Sequence, residues 1–301
     1  MRIAVTGRQG QLAMALSERA PHDMAIIPCG RPDLDLTQPE TVYRCLQAVA
    51  PDLVISAAAY TGVDRAESEP DLAYAVNREG AAAVAQSVAA LGIPLIHIST
   101  DYVFEGTKSE PYDEDDPPLP LGVYGASKLA GERVVRATTA NHAILRTAWV
   151  YSPFGRNFLK TMLRLAKDRP TLRVVCDQVG SPTSALDLAD GVLAVARNLL
   201  QRPREEDLRG TFHMTGAGIA SWADFAAEIV AAAGRHGGPG AAIERIASSD
   251  YPTAAHRPAN SILSNAKLGR VHGVYLPDWH QSTNTVVRWL IAADTLLEED
   301  A

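Results

Sequence analysis

The sequence predicts an α/β fold, a doubly wound parallel sheet with a smaller mixed domain built mainly from the C-terminal half. Three observations carry this. Short, nearly all-apolar β-rich runs alternate with helical stretches, and strands buried on both faces of a parallel sheet read as such runs. The first run passes directly into a glycine-bearing turn that opens a helix. The strand–helix regularity then fades after about residue 150.

The strand candidates, in order, are Arg2–Thr6, Met24–Pro28, Leu53–Ser56, Leu95–Ser99, Ala143–Thr147 and Leu172–Val175. Between them, Gly10–Ala20 is rich in Ala and Leu. Pro39–Ala50 has Pro39 in its first turn, with Thr37 and Glu40 at capping-box spacing. Asp71–Leu91 reads as one long Ala-rich helix stopped by Gly92. Further on, Asn157–Lys167, Asp187–Leu200, Gly210–Met214 and Trp222–Ala233 are element-like, Arg235–Gly240 is a Gly-rich loop, and Thr283–Glu298 is a closing helix. The division falls near 150. Residues 1–150, with parts of 184–215, form the expected dinucleotide-binding domain, and 151–301 mainly the substrate domain.

With 47% apolar residues, 21% charged residues and a formal charge of −7 over 301 residues, a sizeable core is expected. Nucleic acid and anionic membrane surfaces are not expected as partners. Cys29, Cys45 and Cys176 are too few and scattered for a disulfide framework or a zinc site, and the eight histidines lack ligand spacing, so no metal is expected. No apolar stretch reaches the ~18 residues of a membrane span, and the first residues lack a signal-peptide shape. The expected location is the cytoplasm.

Gly7, Gly10 and Ala13 form a G-x-x-G-x-x-A turn. Gly7 permits the tight turn, Gly10 lets a pyrophosphate approach the backbone, and Ala13 allows close helix packing. The helix N-terminus then offers unpaired N–H groups to phosphates. After the second strand stand Arg31, Asp33 and Asp35. Arg31 is either a ligand for the 2′-phosphate of NADPH or a solvated loop arginine, so NADPH is favoured and NADH stays possible.

Tyr124 and Lys128 lie four apart and share one face if helical. An ammonium beside a phenol lowers its pKa and lets it exchange a proton with an oxygen that gains or loses a hydride. Upstream, Ser99-Thr100-Asp101-Tyr102-Val103-Phe104 ends a strand, where doubly wound sheets bind ligands. Thr100 offers a hydroxyl to a substrate carbonyl, or else caps a local turn. Trp149 follows another strand and suits a flat wall against a sugar ring. Arg257 offers a guanidinium fork to a diphosphate, or else is a solvated surface residue. The acidic segment from Glu105 to Leu121 reads as a lid or a solvated charged face.

Together these motifs resemble an extended short-chain dehydrogenase/reductase, and more narrowly the dTDP-4-dehydrorhamnose reductase family. The resemblance runs over nearly the whole chain. It includes Gly7-Arg8-Gln9-Gly10-Gln11-Leu12, Asp33-Leu34-Asp35-Leu36-Thr37 and Ala58-Ala59-Tyr60-Thr61-Gly62-Val63-Asp64-Arg65-Ala66-Glu67. It continues through the Thr100 and Tyr124 motifs, Leu145-Arg146-Thr147-Ala148-Trp149-Val150-Tyr151, Asn157-Phe158, Asp177-Gln178-Val179-Gly180-Ser181-Pro182-Thr183 and Arg257-Pro258 with Asn260-Ser261.

The resemblance implies that Tyr124 is the catalytic acid, Lys128 its partner and ribose ligand, and Thr100 the carbonyl-side hydroxyl. It implies cofactor contacts at Gly7, Gly10, Gln11, Leu12, Asp35, Leu36, Ala59, Tyr60, Thr61, Tyr124 and Lys128. Thr100, Asp101, Tyr102, Trp149 and Asn157 fall on the sugar side. The implied reaction is NAD(P)H-dependent reduction of a dTDP-4-keto-6-deoxysugar for cell-surface polysaccharide such as lipopolysaccharide. Some members are metal-linked dimers with an acid in the first helix. Leu12–Leu16 carries none, so a metal-free monomer or homodimer is expected. Two other readings stand beside this one: a non-catalytic regulatory subunit of the methionine adenosyltransferase type, and a sugar-nucleotide epimerase or dehydratase.

Overall fold

The computed structural model describes residues 1–293. Its centre is a six-stranded sheet, every pair of which is parallel. Five strands come from the N-terminal half: β1 (Arg2–Thr6), β2 (Ala25–Cys29), β3 (Leu53–Ser56), β4 (Leu95–Thr100) and β5 (His142–Thr147). The sixth, Gly210–His213, returns from the C-terminal half and pairs with β5. The spatial order is β2-β1-β3-β4-β5 and then this sixth strand, so the winding direction reverses between β1 and β3. A crevice forms at the carboxyl ends of strands at such a reversal. The expected doubly wound parallel sheet is the fold found.

Because side chains alternate across a strand, the apolar runs feed two cores at once. Ile3, Val5, Ile55, Ile96, Leu145 and Phe212 face a cluster with the helices Gln11–Arg19 and Ala185–Gln201. Ala4, Val54, Leu95 and Ile144 face the other cluster, with Val42, Leu46, Val84, Val88 and Val135. Those partners come from the helices Pro39–Val49, Ala81–Leu91 and Val123–Thr138. The first cluster also takes in Trp279, Val286 and Leu290 of the helix Trp279–Ala292, so one continuous core ties the last described helix to β1. The expected closing helix began at Thr283. It starts four residues earlier, capped by Asp278, and the part of that expectation from 294 onward lies outside the described residues.

Four local expectations are corrected. The segment read as a single helix, Asp71–Leu91, is the helix Pro70–Tyr74, a π-helical stretch Ala75–Gly80 and the helix Ala81–Leu91. The wide turn carries Asn77, whose amide clamps the Tyr60 backbone: Oδ1 accepts from Tyr60 N at 2.8 Å and Nδ2 donates to Tyr60 O at 3.1 Å. Thr37 and Glu40 form no capping box. Gln38 is the N-cap without a side-chain bond, and Thr37 Oγ1 donates instead to Asp35 at 2.8 Å.

The strand read as Leu172–Val175 is not in the central sheet. Thr171–Val175 pairs in parallel with Ala242–Ile246 as a two-stranded ribbon. Finally, the acidic segment after β4, read as a lid or a solvated face, is pinned to the fold at several points while Glu110, Asp113 and Asp115 stay exposed. Buried Tyr112 stacks on Phe104 at 4.3 Å, Glu114 accepts from His213 N at 2.8 Å, and Asn260 donates to Lys108 O at 2.7 Å.

Candidate active site

The glycine turn lies at the reversal of the sheet. Gly7 has φ +96°, a region that L side chains rarely adopt. Next to it, Thr6 Oγ1 accepts from Ala57 N and Ala58 N, both at 3.0 Å, fixing the loop after β3 against the loop after β1. Gly10 caps the helix Gln11–Arg19 without a side-chain bond, and nothing lies within 4 Å of where its Cβ would be. Open space in front of free helical N–H groups fits a pyrophosphate.

A cavity of 560 Å³ continues from this turn, lined by Gly7, Arg8, Gly30, Arg31, Leu34, Asp35, Leu36, Ala58, Ala59, Tyr60, Leu72 and Val76, among others. Its rim is charged in pairs: Arg8 to Asp33 at 2.5 Å and Arg31 to Asp35 at 2.9 Å. The Thr37 backbone N–H and hydroxyl hold the Asp35 carboxyl below its ordinary range, with Arg31 adding to them and burial opposing. Arg8, Arg31 and Asp35 line this cavity, whereas Asp33 lies outside it. Arg8 was not singled out by sequence reasoning, although its place inside the turn was a readable signal.

Three of the expected cofactor residues sit differently. The Leu12 side chain is buried in the core, so only its backbone faces the turn. The Gln11 amide accepts from Ser152 Oγ at 2.8 Å and from Asn157 Nδ2 at 3.0 Å. Thr61 is exposed and does not line the cavity. Asn157, expected on the sugar side, instead caps the helix Phe158–Asp168 and ties it to the glycine turn through Gln11. All its amide atoms are spent on these bonds and on Ser152 O at 2.9 Å.

Tyr124 and Lys128 occupy one face of the helix Val123–Thr138, which starts against Glu67, whose carboxylate accepts from Val123 N at 2.8 Å. The Tyr124 ring meets Tyr102, two residues after Thr100, edge-on at 5.5 Å. Lys128 is buried and its ammonium donates to Ile98 O at 2.7 Å. Burial pushes the Lys128 amine down to about 8, against Glu132, which raises it. Burial raises the Tyr124 phenol above its ordinary value, the Thr100 hydroxyl opposes this, and the charges of Asp101 and Tyr102 add to it. The expected lowering of the phenol by the ammonium is not found, and Lys128 turns to a main-chain carbonyl. Tyr124 is thus held as the neutral phenol, the form that donates a proton.

Thr100 caps the short 3-10 turn Asp101–Val103, and its hydroxyl donates to Asp101 at 2.9 Å. Burial pushes the Asp101 carboxyl up to about 6, with hydroxyls of Thr100 and Ser261 pulling it back. The shift favours the neutral acid in the fold. Its stabilising contribution is full below the free-chain value of 3.8 and is lost as the pH rises through about 6, a change of ~3 kcal/mol. Asp101→Asn is therefore expected to raise the melting temperature more at pH 8 than at pH 4.5. An increment that does not vary with pH would show that Asp101 ionises freely.

Trp149 stands in the left-handed region at φ +47°, uncommon for a bulky side chain. Three contacts hold it there. It stacks on Trp222 at 3.6 Å and 6°, its Nε1 donates to Ser261 Oγ at 3.2 Å, and its carbonyl accepts from Thr183 N at 3.2 Å. Trp222 was found from the sequence only as the start of an element, and Ser261 only as a motif residue, since nothing local marks two residues that meet Trp149 through tertiary packing. Arg257 pairs with Asp64 at 2.9 Å, and its charge also acts on the Tyr102 phenol. It is neither a solvated surface residue nor free of partners.

The model of the family described as RmlD substrate binding domain matches residues 1–291. This chain belongs to that family. Among curated members of similar sequence, a dTDP-4-dehydrorhamnose reductase of Sinorhizobium fredii is 50% identical over 287 residues, 95% of this chain and 97% of the relative. Two solved structures share the RmlD arrangement closely. One is a dTDP-4-dehydrorhamnose reductase of Clostridium acetobutylicum, with TM-score 0.89, 38% identity and coverage of 96% and 99% of the two chains. The other, from Bacillus anthracis, was solved in complex with NADP, with TM-score 0.87, 37% identity and coverage of 95% and 98%. Among the described residues of this RmlD-family chain, no helix is long and apolar enough to cross a membrane.

Proposed function

We propose that this protein is an NADPH-dependent dTDP-4-dehydrorhamnose reductase, with NADH as a second possible donor. The observation that carries the reading is a neutral Tyr124 and a buried Lys128 on one helix face, against the turn that ends β4, in the sheet whose first strand ends in a glycine turn open for a pyrophosphate. The family membership and the NADP complex of the 37%-identical relative support it.

Gly7, Gly10 and the backbone of Gln11 and Leu12 would hold the pyrophosphate. Arg8, Arg31, Asp35 and Leu36 would surround the adenosine ribose, Ala59, Tyr60 and Thr61 would line the bridge to the nicotinamide, and Lys128 would hold its ribose. NADPH, when bound, supplies a hydride to the 4-keto carbon of dTDP-4-dehydro-6-deoxy-L-mannose. Thr100 donates a hydrogen bond to that carbonyl oxygen, and Tyr124 transfers its proton to the same oxygen as negative charge develops. The product is dTDP-L-rhamnose, a precursor of cell-surface polysaccharide. Lys128, while cationic, stabilises the phenolate left behind.

Asp101, Tyr102 and Trp149 would form the sugar side, with Arg257 near the nucleotide diphosphate and Asn157 supporting the glycine turn. In this reading residues 1–150, with parts of 184–215, hold the cofactor. The segment 151–301 mainly supplies the far wall of a cytoplasmic enzyme that acts as a monomer or homodimer.

The test is net oxidation of NADPH and of NADH against a panel of 4-keto sugar nucleotides. Stoichiometric loss of NADPH absorbance with dTDP-4-dehydro-6-deoxy-L-mannose is expected. Turnover of a sugar nucleotide without net NADPH loss would point to an epimerase or dehydratase. No turnover, with stable co-purification of a synthetase, would point to a regulatory subunit.

A further inference from the structure

The catalytic helix carries a stripe that runs past Tyr124 and Lys128. Glu132 and Arg136 continue it at four-residue spacing, one and two turns further on. Glu132 is wholly buried, and so is Arg146 of β5, 1% exposed. The two form a bidentate pair, with Arg146 Nε donating to Oε1 and an Arg146 terminal nitrogen donating to Oε2, both at 2.8 Å. Ser99 Oγ adds a bond to Oε1 at 2.6 Å and Arg136 one to Oε2 at 2.9 Å. The Arg146 guanidinium also lies over the Phe104 ring at 5.1 Å.

A buried ion pair is weak evidence for stability, since desolvation offsets its attraction. Its position is therefore the informative part. Glu132 stands one turn from Lys128 on the same helix face, both side chains are buried, and the Lys128 amine donates to a main-chain carbonyl. We propose that Glu132, held by Arg146, is a positioning residue for the reaction: its carboxylate supplies the negative charge that keeps buried Lys128 in its ammonium form. This rests on the reading of Tyr124 and Lys128 given above.

The other charged and titratable groups around Lys128 do not supply that charge. His97 of β4 is buried with both ring nitrogens unpartnered among the described residues, and burial, Lys128 and His142 of β5 keep its pKa well below 6.5. His142 is likewise held low by burial. Tyr124, on the same helix, is a neutral phenol. Asp101, which follows β4, is a carboxylate at neutral pH and acts on Tyr124. Arg136 and Arg146 are cations that oppose a third positive charge. Glu132, one turn away on the same buried helix face, raises the Lys128 amine.

Opposite signs follow for the two ends of one ion pair. Glu132→Gln removes the negative charge and leaves two arginines near Lys128, so its pKa falls. Arg146→Met removes a cation while Arg136 and Ser99 still hold Glu132, so the Lys128 pKa rises. A merely structural pair would give the same sign for both. The readout is the titration of the lysine side-chain NMR signals in cofactor-free protein, where five lysines are assigned with the aid of Lys128→Met. A downward shift of about one pH unit or more is expected for Glu132→Gln, with an upward shift for Arg146→Met. In kinetics, the alkaline limb of kcat should move the same way.

Equal shifts in the same direction, or no shift in either variant, would overturn the proposal. If Glu132→Gln does not fold, Arg146→Met alone decides by the sign of its shift. Because this titration needs neither cofactor nor sugar, its failure is distinguishable from failure of the reductase reading.

Discussion

Tyr124→Phe is expected to lower kcat by about 10²- to 10⁴-fold, the range lost when a positioned acid is removed, while NADPH still binds. The substitution deletes one oxygen and little else. The ring keeps its edge-on contact with Tyr102 at 5.5 Å, and the helix keeps its cap and core contacts, so the melting temperature should hold. Thr100 retains its bond to Asp101 at 2.9 Å. What disappears is the proton that the developing alkoxide needs.

Two measurements check this together: the steady-state rate of NADPH oxidation, and the dissociation constant of NADPH from its fluorescence. A large fall in kcat with unchanged NADPH affinity assigns the role to proton transfer. Near-normal turnover would remove Tyr124 as the acid. An equal loss in affinity would recast it as a cofactor ligand.

Much of this site was legible because its parts are local. A glycine turn, a Tyr and Lys four apart, and a Thr at a strand end each follow from backbone rules that act within a few residues. The strands were legible for a similar reason, since burial on both faces leaves an apolar run. The same rule misled at Leu172–Val175, because an apolar run does not say which sheet it joins. It pairs with Ala242–Ile246, across about 70 residues.

The break in the Asp71–Leu91 helix was hidden because Ala-rich sequence favours helix throughout. The wide turn belongs with the clamp of Asn77 on Tyr60 and with the approach of Gly131, whose Cβ would come 2.2 Å from Asn77 O. Asn157 and Gln11 were visible as motif residues. Only the fold shows that their side chains satisfy each other, which leaves Gln11's main chain as its part facing the turn. The contacts of Trp222 and Ser261 with Trp149 were illegible because the strained Trp149 backbone they hold is a tertiary arrangement with no local signature.

The second large effect is expected one residue after the tyrosine. A Cβ on Gly125 would lie 2.0 Å from the Tyr102 carbonyl oxygen and 3.0 Å from Pro120, and neither obstacle is the end of a flexible side chain. Gly125→Ala must therefore push the start of the catalytic helix away from the turn that follows β4. Helix propensity works the other way, since Ala is favoured over Gly by ~1 kcal/mol within a helix. Overpacking against backbone costs about 1–3 kcal/mol and sometimes more, so the net sign is destabilising.

The displacement lies between the turn capped by Thr100 and the helix start that carries Tyr124, whose relative placement sets the acid beside the carbonyl site. A misplacement near 1 Å can cost about 10²-fold in rate. The expected result is a lower melting temperature together with a fall in kcat of at least that order, and Gly125→Ser should behave alike. A variant that is more stable and fully active would mean that the helix start yields without moving Tyr124. In that case the close packing of helix on turn would not be what holds the acid in place.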